Sequence, residues 1–205
     1  MQKLSFYLVI SMLAIMIVSC KNETKTTEVE KKTVKVTDVP KEDWAKKKVL
    51  TEEDRMEISS VMFRIIDEQN LKKFASYCVT AGLTEMLSTE KGPFAIFAPS
   101  NGTLESLPAE RKKFYANPEN KLQLEQMLKS HIVAGKINKE DLLKDIAKNG
   151  KATLKTLGGV TLTASKVGED ILISDGKSGK AKIQKSDILG SNGVVFVIDG
   201  AMNAN

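Results

Sequence analysis

The 205-residue chain has one histidine, His131, and two cysteines, Cys20 and Cys78. With one histidine, any histidine-dependent acid–base chemistry must run through His131. No His/Cys/carboxylate cluster stands at ligand spacing, so no metal site is expected. Cys78 lies at helical spacing with Leu71, Phe74 and Ala75 and reads as a small buried apolar residue, so the core must stand without a disulfide. Long hydrophobic runs are scarce too. Residues 6–18 are apolar except for Ser11, a length inside the range of a signal-peptide core and short of the ~20 residues of a spanning helix.

An excess of positive charge is missing where nucleic-acid binding would need it. The net charge is +5, but Lys3 and residues 21–48 carry most of it; residues 49–205 hold 21 basic and 20 acidic side chains. A nucleic-acid reader concentrates positive charge on its folded part, so nucleic acid is not an expected partner.

What is present begins with export. Lys3 precedes the apolar core, and Ile17-Val18-Ser19-Cys20 closes it with branched apolar residues, a small residue and a cysteine, the pattern that a bacterial lipoprotein signal peptidase cuts before the thiol is acylated. Residues 1–19 therefore read as a lipoprotein signal peptide, and Cys20 as the lipidation site that makes the membrane a partner. Residues 20–48 follow as a flexible tether, rich in Lys, Thr, Glu and Val and without glycine or apolar periodicity. Residues 49–205 are long enough for one domain. The expected location is the cell envelope, at the outer membrane or cell surface in preference to the inner membrane.

Within the domain, Thr51 followed by Glu52, Glu53 and Asp54 marks a helix start. Ile58, Val61, Met62, Ile65 and Ile66 form one helical face. Asn70 is the expected cap of a second helix ending near Gly82, and residues 94–98 have the composition of a buried strand. Leu124, Met127, Leu128, His131 and Ile132 share a further helical stripe, which predicts a packed, half-buried histidine. After Lys151 the period changes to two. "ATLKTL", "VTLTA", "ILIS", "AKIQ" and "GVVFVID" are short strands separated by turn signals at Gly158-Gly159, Gly168, Asp175-Gly176 and Asn192-Gly193. The class is α+β, with helices mainly in the first half and a β meander in the second.

Pro99, Ser100 and Asn101 read as a structural corner: the proline removes a ladder donor, and the two polar side chains can cap a helix starting at Thr103 or Leu104. Asn101 and Asn22 head formal glycosylation sequons. "DGKSGK", residues 175–180, lacks the earlier glycine of a phosphate loop and reads as an exposed turn.

Three stretches, taken in order, resemble the boxes of fasciclin domains: "GPFAIFAPSNGTLESLP" (residues 92–108), "LKSHIVAGKI" (128–137) and "DILGSNGVVFVIDGAM" (187–202). The resemblance spans residues 56–201. It implies a β-sandwich or wedge with helices packed around it, no catalytic triad and no obligatory cofactor. It also implies that Asp187, Asn192 and Gly193 form the entry to the last strand, and that Ser130, His131 and Ile132 occupy the region tied to partner binding in animal members. Ser130 stands where the family usually has tyrosine, and Leu104 where it usually has an aromatic, so an integrin is not the implied partner here.

The expected function is that of an envelope lipoprotein, not an enzyme, acting in adhesion or recognition of protein, polysaccharide or matrix. The alternative is a periplasmic small-ligand-binding or weakly hydrolytic protein. A deep pocket holding His131 beside a carboxylate would mark the alternative, and a closed core with exposed apolar or charged patches would mark adhesion.

Overall fold

Thr51 opens the fold with a reciprocal cap. Its hydroxyl accepts the Asp54 N–H while the Asp54 carboxylate accepts the Thr51 N–H, and this capping box starts α1 (Glu52–Glu57). The structure, a computed structural model, describes residues 50–204; the leader, Cys20, the tether and the Asn22 sequon lie outside the described residues. The single helix implied by Ile58 through Ile66 is instead broken. Ser60 adopts an extended backbone and its hydroxyl accepts the Phe63 N–H, which starts a new helix, α2 (Val61–Asp67). Val61, Met62 and Ile65 are buried, whereas Ile58 and Ile66 are exposed.

The next helix, α3 (Lys72–Ala81), ends at the left-handed Gly82 as expected, but its start is not capped by Asn70. The cap comes from 28 residues downstream: Asn101 Oδ1 accepts the Lys73 N–H at 2.9 Å, and its amide donates to the Gln69 carbonyl. After α4 (Thr84–Thr89) comes β1 (Phe94–Pro99), buried along its whole length. The corner that follows is structural, with Ser100 capping α5 (Asn101–Ser106), so the helix starts earlier than Thr103.

The chain continues through α6 (Ala109–Ala116), α7 (Lys121–Lys129), β2 (Ile132–Ala134) and α8 (Lys139–Asn149). It then enters β3 (Ala152–Lys155), β4 (Thr161–Val167), β5 (Asp170–Ser174), β6 (Lys180–Gly190) and β7 (Gly193–Ile198). These last five strands form the predicted meander. The sheet order is β2-β1-β7-β6-β5-β4-β3, antiparallel throughout except for the parallel β1–β7 pair. Its two edges meet: Val133 bridges Thr156, and the Leu157 N–H donates to the Ile132 carbonyl at 2.7 Å. Helices lead and strands follow, in a wedge whose sheet rolls toward closure.

Strand alternation sends the side chains of the central pair into two cores. Ile96, Ala98, Val195 and Val197 join Met62, Phe74, Leu87 and Leu128 under the helices. Ala95, Phe97, Val194, Phe196 and Ile198 join Leu142, Leu162 and Ile173 on the other side. There Phe97 stacks on its strand partner Phe196, with ring centroids 4.9 Å apart.

The entry to the last strand differs from expectation. Gly190 pairs with Gly193, so Ser191 and Asn192 make the loop and Gly193 is already in the sheet. Glycine is required at 193 by close approach, because a Cβ there would stand 2.1 Å from the Phe94 carbonyl oxygen. Asp187 and Ile188 lie inside β6 where the register shifts, and the Asp187 carboxylate accepts the Lys139 N–H at the first turn of α8. Asn192 is a buried clamp. Its oxygen accepts the Val61 N–H at 2.8 Å, and its amide donates to the carbonyls of Leu87 and Glu90 at 3.1 and 2.9 Å.

Removing that side chain strands three backbone groups, those of Val61 and Leu87 in buried bonds and that of Glu90 in a part-buried one. Asn192→Ala is expected to lower stability by about 2 to 4 kcal/mol in urea denaturation. Ser191→Ala, at an exposed loop position, is expected to cost under about 1 kcal/mol. Equal losses in the two variants would remove the clamp assignment.

Candidate functional site

The stripe that carries His131 begins as a helix and ends as a corner. Ser130 caps the C-terminus of α7; its N–H reaches the Gln126 and Met127 carbonyls and its hydroxyl also donates to Gln126. Ile132 then starts β2. Ser130, His131 and Ile132 are each 0% exposed, so the three residues expected near a partner contact lie inside the domain. They hold its parts together. Gly158 leaves the space for Ser130, because a Cβ there would come within 2.6 Å of the Ser130 nitrogen and hydroxyl.

The imidazole bridges two distant segments. Nδ1 lies 2.9 Å from the Met127 carbonyl oxygen, and Nε2 lies 2.9 Å from the Met202 backbone nitrogen. A carbonyl can only accept and a backbone N–H can only donate, so Nδ1 carries the proton, Nε2 accepts, and the ring is neutral. The Phe74 ring meets it in a T-shaped contact at 6.3 Å. Burial pushes the His131 pKa down to about 4, against the opposing pull of the Met127 carbonyl and Asp175.

Asp175 completes the constellation, and the sequence reading missed its role by treating residues 175–180 as an exposed turn. One carboxylate oxygen accepts from Lys177 and Gly179 at 2.8 and 2.9 Å, and the other from the Asn203 N–H at 3.0 Å. Burial alone would raise its pKa; the backbone donors of Asn203, Lys177 and Gly179 outweigh that and hold it below the usual value. Asn203 also donates to the Ser130 hydroxyl. The Asp-Gly pair did mark a turn, but the bond to residue 203 is non-local and has no signal in the run itself.

This arrangement fastens the segment after β7 and engages the His131 ring and the Asp175 carboxylate within the domain. His131 has both nitrogens engaged, and burial pushes the Cys78 thiol up to about 12. Among the described residues no group of three His, Cys, Asp or Glu could hold a metal ion. Five further residues of the three boxes sit at element junctions: Pro99 ends β1, Ser100 caps α5, Asn101 caps α3, Asn192 bonds the start of α2, and Asp187 accepts at the start of α8.

Surfaces open to a partner are elsewhere. One cleft of about 420 Å³ is lined by Thr51, Glu53, Asp54 and Glu57 with Ser88 and Thr89. Another, of about 440 Å³, is lined by Leu107, Pro108, Arg111 and Phe114, where the Arg111 guanidinium lies 5.6 Å from the Phe114 ring centre. A third, of about 410 Å³, lies among Lys91, Pro93, Lys136 and the β6–β7 hairpin. His131 lines none of them. No helix among the described residues is long and apolar enough to cross a membrane.

The buried histidine generates a pH dependence with a defined sign. Its folded pKa of about 4 lies below its ordinary 6.5, so the unfolded chain binds more protons between these values. The stabilisation is complete above pH 6.5 and is lost as pH falls towards 4, by about 3 kcal/mol. The Asp175 contribution is lost only lower, as its carboxylate protonates. His131→Ala is expected to lose about 1 to 3 kcal/mol at pH 7 and to flatten stability across the histidine window. Denaturant melts at a series of pH values test both statements, and an unchanged slope in the variant would assign the dependence to other groups.

The chain is 37% identical over 121 residues to protein sll1483 of Synechocystis sp., an alignment covering 58% of this chain and 59% of that protein. It is 29% identical over 133 residues to pig transforming growth factor-beta-induced protein ig-h3, over 64% of this chain and 17% of that one. It is 29% identical over 141 residues to human periostin, over 69% of this chain and 15% of periostin. The chain thus spans less than two thirds of each of these relatives. Among solved structures, a FAS1 domain pair from the insect cell adhesion molecule fasciclin I superposes with a TM-score of 0.62 at 14% identity, covering 70% of this chain and 50% of that one. The family model described as "Fasciclin domain" matches residues 69–204, and the chain belongs to the fasciclin domain family.

Proposed function

We propose that this protein is a lipid-anchored envelope protein whose fasciclin domain acts without catalysis, in adhesion or recognition of protein, polysaccharide or matrix. The observation that carries this reading is the enclosure of His131. The one residue able to run histidine chemistry is 0% exposed and has both ring nitrogens bonded within the domain, while charged and apolar clefts face outward. The small-ligand or hydrolytic alternative needs an open pocket with His131 beside a carboxylate. Asp175 is the nearby carboxylate, and it is occupied by three backbone N–H groups. The relation to a domain pair from an insect cell adhesion molecule supports the same reading.

The anchor rests on the leader at residues 1–19, on Cys20 and on the tether that follows. A single acyl chain holds a protein only marginally, so the mature Cys20 carries more than one. A flexible coil of the tether's length reaches roughly 25 to 35 Å, enough to lift the domain away from the bilayer and let it meet a partner with any face.

Mass spectrometry of the native protein is expected to find lipid on an N-terminal Cys20; an unmodified terminus elsewhere would remove the anchor. Cells carrying the full chain are expected to attach to a surface coated with envelope material more strongly than cells without it. Deletion of residues 24–46 is expected to weaken attachment at matched surface abundance while leaving the melting temperature of the domain unchanged. Attachment no stronger than in cells lacking the chain would sink the adhesion reading.

A further inference from the structure

The cleft of about 410 Å³ beside the β6–β7 hairpin is lined by Lys91, Pro93, Lys136 and Asn138, and by the hairpin from Leu189 to Val194. Its floor is rigidly built. The Asn192 amide holds the Glu90 carbonyl, the Phe94 N–H donates to the Asn192 carbonyl at 2.9 Å, and the Gly135 N–H donates to the Pro93 carbonyl at 2.8 Å. These bonds fix the backbone on either side of Lys91 and immediately before Lys136, while both side chains remain exposed.

Charge at this cleft is unbalanced. Among the described residues Lys73, Lys129, Lys144, Lys182 and Lys185 each have a carboxylate partner, whereas Lys91 and Lys136 have none within 4.0 Å. No lining residue is acidic. The nearby carboxylates of Asp141 and Asp187 are engaged at the start of α8, where they accept the Asn138 and Lys139 N–H groups. Glu90, the neighbour of Lys91 along the chain, lies outside the lining. Two ammonium groups around one concavity repel each other in the free protein and attract a carboxylate that enters it.

The remaining walls are aliphatic. Leu189 is 64% exposed, and Pro93 is exposed beside it in the lining. No aromatic ring lines the cleft, so it offers no flat face for a sugar ring to stack on. The volume falls within the range of roughly 300 to 1,000 Å³ usual for ligand sites, enough for a few side chains. Building on the adhesion reading, we propose that this cleft docks a protein partner through a segment in which carboxylate side chains stand beside aliphatic ones, with Lys91 and Lys136 taking the carboxylates and Leu189 and Pro93 the aliphatic groups.

The test uses the full chain and a short fluorescein-labelled peptide of alternating Glu and Leu, which in an extended conformation puts acid on one face and leucine on the other. Fluorescence anisotropy is expected to show binding that weakens as salt rises. The double variant Lys91→Glu/Lys136→Glu is expected to lose about tenfold or more in affinity, while Lys155→Glu/Lys166→Glu, with the same charge change outside the cleft, binds as the unaltered chain does. All proteins should melt at the same temperature. Failure of the unaltered chain to bind, equal loss in both double variants, or displacement by polygalacturonate more readily than by unlabelled peptide would overturn the proposal. Cells carrying Lys91→Glu/Lys136→Glu should also lose attachment to the envelope-coated surface. Full attachment by that variant would overturn the cleft assignment and leave the adhesion reading standing, whereas peptide binding without any cell attachment would support the cleft and count against adhesion.

Discussion

The parallel pairing of β1 with β7 is the constraint on which the rest of the domain depends. It runs residue against residue from Phe94 with Gly193 to Pro99 with Ile198. A parallel pair cannot be closed by a tight turn, so the whole stretch between these strands has to leave the sheet and return. Four of the eight α-helices and all the other strands are spent on that excursion. Burial on both faces makes the two strands almost wholly apolar, and their alternation feeds two separate cores at once. The pair is also non-local, so its contacts form only after a large loop-closure cost has been met, which puts the domain among topologies that fold slowly.

Polar clamps gather around this pair. Asn192 stands just before Gly193 and ties the strand entry to α2 and to the end of α4. At the exit, the Ser100 N–H donates to the Ile198 carbonyl, while Asn101 reaches across to α3. Along one flank, the His131 carbonyl accepts the Phe97 N–H, and its ring holds Met202 just beyond β7. The Asn192 and His131 clamps satisfy buried backbone groups that would otherwise be costly, and the Asn101 clamp joins two elements at the surface, so each fixes an arrangement as well as contributing stability. A histidine suits this duty because one neutral ring accepts a bond on one side and donates on the other.

The parts of the fold legible in the sequence were those governed by local rules. The meander could be read from its period of two and from turns at Gly159, Gly168 and Gly176, all of which have positive φ. The corner at Pro99 to Asn101 could be read from residue types alone. What could not be read was non-local. A helical face from Ile58 to Ile66 is compatible with one helix or with two, and the choice of Ser60 as a break depends on tertiary packing. Asn70 looked like a cap, but the Lys73 N–H is met by Asn101 from another element. The three residues of β2 are too few for a strand period, and Ile132 also fitted the helical stripe before it. His131 was read as packed, yet its full burial and its link to Met202 need the end of the chain to be in place. Lys91 and Lys136 carried no signal, since isolated lysines are ordinary on any surface.

These observations separate two kinds of residue. The ones that make the chain recognisable as a fasciclin domain, Pro99 to Asn101, His131, Asn192 and Gly193, are mostly buried or bonded to backbone, and their chemistry is used up in holding the central pair. Substitution there carries the cost of an unsatisfied group or a steric clash. Lys91, Lys136 and Leu189 lie on the surface of loops and strand ends that those clamps hold rigid, and changing them costs the fold little. A domain built this way can keep its architecture while its contact surface changes freely. Family membership therefore speaks for the scaffold, and on the proposed docking, partner choice falls to residues outside the family boxes or between their buried positions.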